Sequence, residues 1–198
     1  MFSFTQIEKR DLLIGTAIFV LVELSLAIYY FDTILELLFL ALLIIPLWFF
    51  HELAHKFVAQ GNGLVSHFRL DPYMAMFSLF SVVFPIKIIA PGVVLSSGDY
   101  RLDTSGRISM AGPLTNIFIG GIFLVLSPLM PFNWLVTIFV FVSKFSFDLA
   151  LFNLLPFSVL DGAKVLRWSQ TIFILIFSLT LILWLFHPFG MLGGIILV

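Results

Sequence analysis

His51-Glu52-Leu53-Ala54-His55 sets two imidazoles four residues apart with a carboxylate beside the first. A helix turns once in 3.6 residues, so both histidines project from one face within reach of a single ion, and the glutamate flanks it. This is half of a catalytic zinc site. Such a site takes three protein ligands and keeps a fourth position for water, so a third donor is required. The chain has no cysteine, and the remaining donor must be histidine or carboxylate. The motif lies near the end of an apolar stretch, where ionisable groups are costly to bury and function is their default explanation.

The elements that carry this motif follow from composition. Hydrophobic residues make up 61% of the 198 residues, charged residues 11%, and mean hydropathy is +1.16, far from the balance of soluble domains. The chain reads as an all-α polytopic membrane protein of one domain, residues 1–198, with no internal repeat or linker. Taking roughly 20 apolar residues per crossing, spans fall at about 12–31, 34–59, 105–128, 133–155 and 170–187. A short apolar tail at 189–198 is about half a span, so five or six transmembrane helices are expected. The first stretch is too long for a cleaved leader and carries Glu23, so it is expected to persist as an anchor.

Net charge is −1 and argues neither for nor against nucleic acid, and no nucleic-acid partner is expected; the cations, however, are placed asymmetrically. Lys9, Arg10, Lys56, Arg69, Lys87, Arg101, Arg107, Lys164 and Arg167 fall on one side of this topology, and the positive-inside rule makes that side cytoplasmic. His55 then lies roughly 7 Å and His51 roughly 14 Å inside the cytoplasmic end of the second span. Lys144 is mid-span, one turn before Asp148, and an internal ion pair is expected. Pro46, a turn ahead of His51, removes an amide hydrogen bond from the same helix.

Candidates for the third ligand are Glu23, Glu36, Asp148, Asp161, His67 and His187. Glu36 and His187 fall near the opposite face, Glu23 is mid-span, and His67 lies in the cytoplasmic segment. Asp161 follows Asn153-Leu154-Leu155-Pro156 where the fourth span nears the cytoplasmic side, at the depth of the two histidines. It reads either as a ligand or as a helix N-cap on a loop. In the third span Gly112, Asn116 and Gly120 recur every four residues, a small-residue stripe that admits a close neighbour. Asn116 reads either as an interhelical hydrogen bond or as a contact to substrate backbone or oxyanion.

Taken together, His51-Glu52-x-x-His55, Gly112-Pro113-x-x-Asn116 and Asn153-x-x-Pro156-x-x-x-Leu160-Asp161-Gly162, in that order on three spans, resemble the site-2 protease family of intramembrane zinc metalloproteases. The likeness covers about residues 34–165 and includes no PDZ or CBS domain. It implies zinc bound by His51, His55 and Asp161, Glu52 as catalytic acid and base, and substrate-facing or structural roles for Asn116 and Asn153. It also implies regulated intramembrane proteolysis of a transmembrane protein, a single-span regulator, in the cell membrane of a prokaryote, with the site near the cytoplasmic face.

Residues 60–104 are expected to form a small membrane-associated β-region between the second and third spans. Leu64–Leu70, Met74–Phe84, Ile86–Ala90 and Val93–Ser96 read as short strands, sheltered by protein where they dip among lipid. One edge could pair with unwound substrate, or the segment could simply cover the site. Three rival functions are a divalent-metal transporter, a membrane metalloprotease of the prenyl-protein C-terminal type, and a metal-binding scaffold without catalysis. The transporter predicts ligands along a route across the bilayer, the prenyl-protein type lacks the Leu160-Asp161-Gly162 partner, and the scaffold has no use for Glu52.

Overall fold

The computed structural model describes residues 4–84, 87, 89–98, 101–157 and 160–188. They form two compact units, one of residues up to Gly98 and one of residues from Arg101 onward. The chain is mostly helical, as expected. Among the described residues, three helices are long and apolar enough to cross a membrane: Ile34–Gly61, Leu102–Leu129 counted with its terminal 3-10 turn, and Asn133–Asn153. These match the expected second, third and fourth spans. Among the described residues the expected count of five or six is not reached, because the first helix carries Glu8, Asp11 and Glu23 and the last is only 16 residues long. The tail at 189–198 lies outside the described residues.

In the first unit, α1 (Gln6–Ala27) and α2 (Ile34–Gly61) run antiparallel. Glu8 meets Lys56 at one end, while Phe19 stacks on Trp48, ring centroids 6.4 Å apart, further along. Gly15 permits this approach, since a Cβ there would sit 2.5 Å from the Trp48 ring. Trp48 is a core residue between Phe19 and Phe68. Thr33 and Glu36 start α2 with a reciprocal capping box, which satisfies two otherwise unpaired helix-end donors.

The segment after α2 contains β1 (Val65–Leu70), α3 (Pro72–Phe80) with a 3-10 turn at Ser81–Val83, and β2 (Gly92–Ser97). The strands pair antiparallel, Val65 opposite Ser97 and Leu70 opposite Gly92. Two of the four expected strands are therefore present. Met74–Phe84 is a correction: Met74–Val83 is helical, because Asp71 caps the Tyr73 and Met74 amides and Pro72 occupies the first turn, where its fixed φ is preorganised. A continuous apolar run alone does not separate strand from buried helix. In the expected strand Ile86–Ala90, Ile86 and Ile88 lie outside the described residues, and Lys87, Ile89 and Ala90 have no regular structure.

The second unit packs α4 (Leu102–Leu126) on α5 (Asn133–Asn153), followed by the short α6 (Asp161–Trp168) and α7 (Gln170–Leu185). The small-residue stripe of α4 is the contact face. Ser146 Oγ donates to the Asn116 carbonyl at 2.7 Å, Ser143 Oγ donates to the Gly120 carbonyl at 2.8 Å, and a Cβ on Gly120 would reach Phe147 at 2.9 Å. The expected Lys144–Asp148 pair forms within α5, and the Trp184 indole of α7 donates to the same carboxylate.

Candidate active site

α2 brings the two motif imidazoles together. His51 and His55 are buried, their rings edge-to-face with centroids 4.7 Å apart, and their Nε2 atoms are 3.1 Å apart. Two ligands at vertices of a tetrahedron with metal–nitrogen bonds of 2.0–2.1 Å stand about 3.3 Å apart, so this pair fits two vertices of one ion. Glu52, the next residue, is also buried. The helix runs unbroken through Pro46 and the motif, so their spacing is set by rigid backbone rather than by a loop.

Just beyond the motif, Lys56 is buried against Glu8 of α1, with Nζ at 2.6 and 2.7 Å from the two carboxylate oxygens. Glu8 also accepts the Phe68 amide of β1 at 3.0 Å, and Asp11 accepts the Leu70 amide at 3.4 Å. Burial pushes the Glu8 carboxyl up, but the Lys56 hydrogen bond and the Phe68 amide outweigh it and hold the group below its ordinary value. One carboxylate thus fastens both the motif helix and the adjoining strand. The sequence reading missed this clamp and placed Lys56 among the cytoplasmic cations. Its signal was a lysine directly after the second motif histidine, inside an apolar helix.

In the second unit α5 ends at Asn153, three residues before Pro156, and Asp161 is the first residue of α6. Asp161 is buried, with Lys164 one turn on at 3.9 Å. It is not the N-cap, a position taken by Leu160. Gly162 is required for closeness rather than for an unusual φ: a Cβ there would lie 2.0 Å from the Leu154 carbonyl oxygen. The start of α6 can therefore press onto the end of α5, which fixes where Asp161 begins. Asn116 is fully buried on the α4 face that meets α5, and Asn153 donates its amide to the Leu149 carbonyl of its own helix at 2.9 Å.

The other ligand candidates have partners elsewhere. Glu36 belongs to the α2 cap, His67 approaches Glu8 at 3.6 Å, Asp148 holds Lys144 and Trp184, and His187 meets the Ser143 hydroxyl at 3.1 Å. Glu23 of α1 acts electrostatically on Lys87.

A buried His-Glu-x-x-His helix, in a mostly helical chain with apolar helices long enough to cross a membrane, is the mark of a metalloprotease. The chain is 36% identical over 130 residues, 64% of its own length and 68% of the relative's, to the Methanocaldococcus jannaschii protein named "Putative zinc metalloprotease MJ0611". It belongs to that zinc metalloprotease family. No protein-family model matches the chain, and no solved structure matches it.

Proposed function

We propose that this protein is an intramembrane zinc metalloprotease of the site-2 protease kind, hydrolysing peptide bonds within or near transmembrane segments. His51, His55 and Asp161 are the zinc ligands, and Glu52 is the catalytic acid and base. The observation that carries this is the convergence of the His51 and His55 Nε2 atoms, 3.1 Å apart and buried, on a helix of membrane-spanning length. Two imidazoles and a carboxylate make a donor set suited to catalytic zinc.

When bound, zinc supplies Lewis acidity that polarises the scissile carbonyl and acidifies water toward neutrality. Glu52 takes the proton from the attacking water and delivers it to the leaving amine. Substrate-facing roles, toward substrate backbone or the developing oxyanion, fall to Asn116 and Asn153. Counting α1 and α7 with the three longest apolar helices gives five crossings. The cation distribution supports a cytoplasmic position for the site in a prokaryotic cell membrane.

The substrate is a transmembrane protein, a single-span regulator whose helix must unwind to be cut. The sheet supports one way of holding it. The Asp71 amide bonds the Pro91 carbonyl at 3.1 Å, so alternate β1 residues face β2, and the opposite-facing amides of Phe68 and Leu70 are taken by Glu8 and Asp11. That edge is closed. The outer edge of β2, with the backbone groups of Val94 and Ser96, faces no strand among the described residues and is suited to strand addition.

The test is cleavage of a helical membrane substrate by purified protein, with metal analysis, comparing wild type and Glu52→Gln. Lost cleavage with zinc retained is expected, and undiminished cleavage would overturn the assignment. Val94→Pro and Ser96→Pro should cut activity sharply with zinc unchanged.

A further inference from the structure

α6 has eight residues, about 12 Å of helix, and Asp161 is its first. Two turns make few contacts of their own, so whatever holds this helix decides where the Asp161 carboxylate points. At the start, the closeness of Gly162 to the Leu154 carbonyl fixes the distance to the end of α5. That contact is made by backbone, with no side chain to resist rotation. Lys164, 3.9 Å from Asp161, lies on the same helix and turns with it.

The far end is held by a ring. Trp168, the last residue of α6, lies against Gly106 in the second turn of α4. A Cβ on Gly106 would stand 2.4 Å from Cγ, Cδ2 and Cε3 of the indole, so the ring sits directly on the α4 backbone. Cγ is the root of the ring and stays in place when the ring turns about its own bond, so a side chain at 106 would push α6 itself. Gly106 is buried. A glycine inside a helix is unfavourable for that helix, and the seat it gives Trp168 accounts for it here.

Helical spacing connects this seat to the ligand. Asp161, Val165 and Trp168 follow at i, i+4 and i+7, which places them on one face, and Val165 is fully buried. Side-chain ends lie about 5–6 Å from a helix axis, so a rotation of about 20° carries a carboxylate about 2 Å. Metal–ligand distances tolerate about 0.2 Å. Fixing the rotation of α6 therefore matters more to Asp161 than fixing its distance from α5.

We propose that Trp168, seated on Gly106, is the positioning residue for the third zinc ligand. Its ring sets the rotation of α6 and, through it, the direction of the Asp161 carboxylate. The inference rests on the reading of Asp161 as a ligand, and Trp168 acts through that residue alone.

Two measurements on the whole chain in detergent read the ligand set apart from cleavage: zinc affinity by competition with a chromophoric chelator, and the visible bands of bound cobalt, which follow ligand type and geometry. Trp168→Ala and Gly106→Ala should each weaken zinc about 10- to 100-fold, the usual worth of groups that orient a ligand, and move the cobalt bands to those of Asp161→Asn. Trp168→Phe, which keeps a ring on the seat, should stay within about threefold. In the Trp168→Ala background Gly106→Ala should add nothing, because the ring it displaces is gone. Trp168→Ala creates no clash and carries the test alone if Gly106→Ala does not fold. Gly120→Ala, whose Cβ would meet Phe147 at 2.9 Å, is the reference for destabilisation and should lower the unfolding midpoint with zinc affinity unchanged. Wild-type affinity and cobalt bands in Trp168→Ala would overturn the positioning role and leave Asp161 a ligand, and an equal loss of zinc in Gly120→Ala would overturn it as general destabilisation. Wild-type zinc affinity in Asp161→Asn would overturn the ligand reading and the positioning role with it.

Discussion

Glu8 and Lys56, 48 residues apart, form a fully buried ion pair that joins the first helix to the helix bearing the metal motif. The same carboxylate holds the Phe68 amide, so α1, α2 and β1 meet at one side chain. Removing one partner of such a pair strands a buried charge and costs about 3–5 kcal/mol, whereas replacing both can be near neutral. Glu8→Gln should lower the unfolding midpoint strongly in detergent, and Glu8→Gln with Lys56→Met should recover most of the loss.

The same residue sets a pH dependence. The Glu8 and Asp11 carboxyls both lie below their ordinary values of 4.5 and 3.8: burial raises each, but Lys56 and the Phe68 amide, and Arg10 and the Leu70 amide, lower them further. A carboxylate depressed by folding stabilises above its unfolded value and loses that contribution as pH falls through the folded one. Stability should be flat near neutrality and decline below about pH 4.5. Unfolding midpoints measured across this range should show a shallower acid decline in Glu8→Gln.

Two glycines make contrasting predictions in the second unit. A Cβ on Gly162 would meet the Leu154 carbonyl oxygen at 2.0 Å, whereas one on Gly121 would meet nothing within 4 Å. Gly162→Ala forces backbone apart and should cost about 1–3 kcal/mol. Because Asp161 precedes it, zinc content should fall as well. Gly121→Ala should stay within about 0.5 kcal/mol. Thermal unfolding with metal analysis of the two variants checks this.

Ligand removal separates binding from chemistry. His51→Ala and Asp161→Asn should each lose most of the bound zinc and all cleavage, and a chelator should abolish wild-type activity that added zinc restores. Full zinc occupancy in Asp161→Asn would remove it from the ligand set.

The helix–helix contact in the second unit can be tested through Ser143. Its hydroxyl donates to the Gly120 carbonyl and accepts from the His187 ring, connecting α4, α5 and the end of α7. Ser143→Ala leaves a buried carbonyl and a buried imidazole short of a partner and should cost about 1–3 kcal/mol. Thermal unfolding in detergent measures it.

The His51–His55 pairing was legible in the sequence because both ligands lie on one helix, whose period alone sets their spacing. The three long apolar helices and the Lys144–Asp148 pair were legible for the same local reason. The stripe of Gly112, Asn116 and Gly120 announced close packing, and the structure identified α5 as the neighbour. Met74–Phe84 misled, because an apolar run has no period to separate strand from helix, and the Asp71-Pro72 start decided it. The Glu8–Lys56–Phe68 clamp and the seat of Trp168 on Gly106 were beyond any reading of spacing. Each joins residues from separate elements whose approach is set by packing, and a buried charge names its partner only after the chain has folded around it.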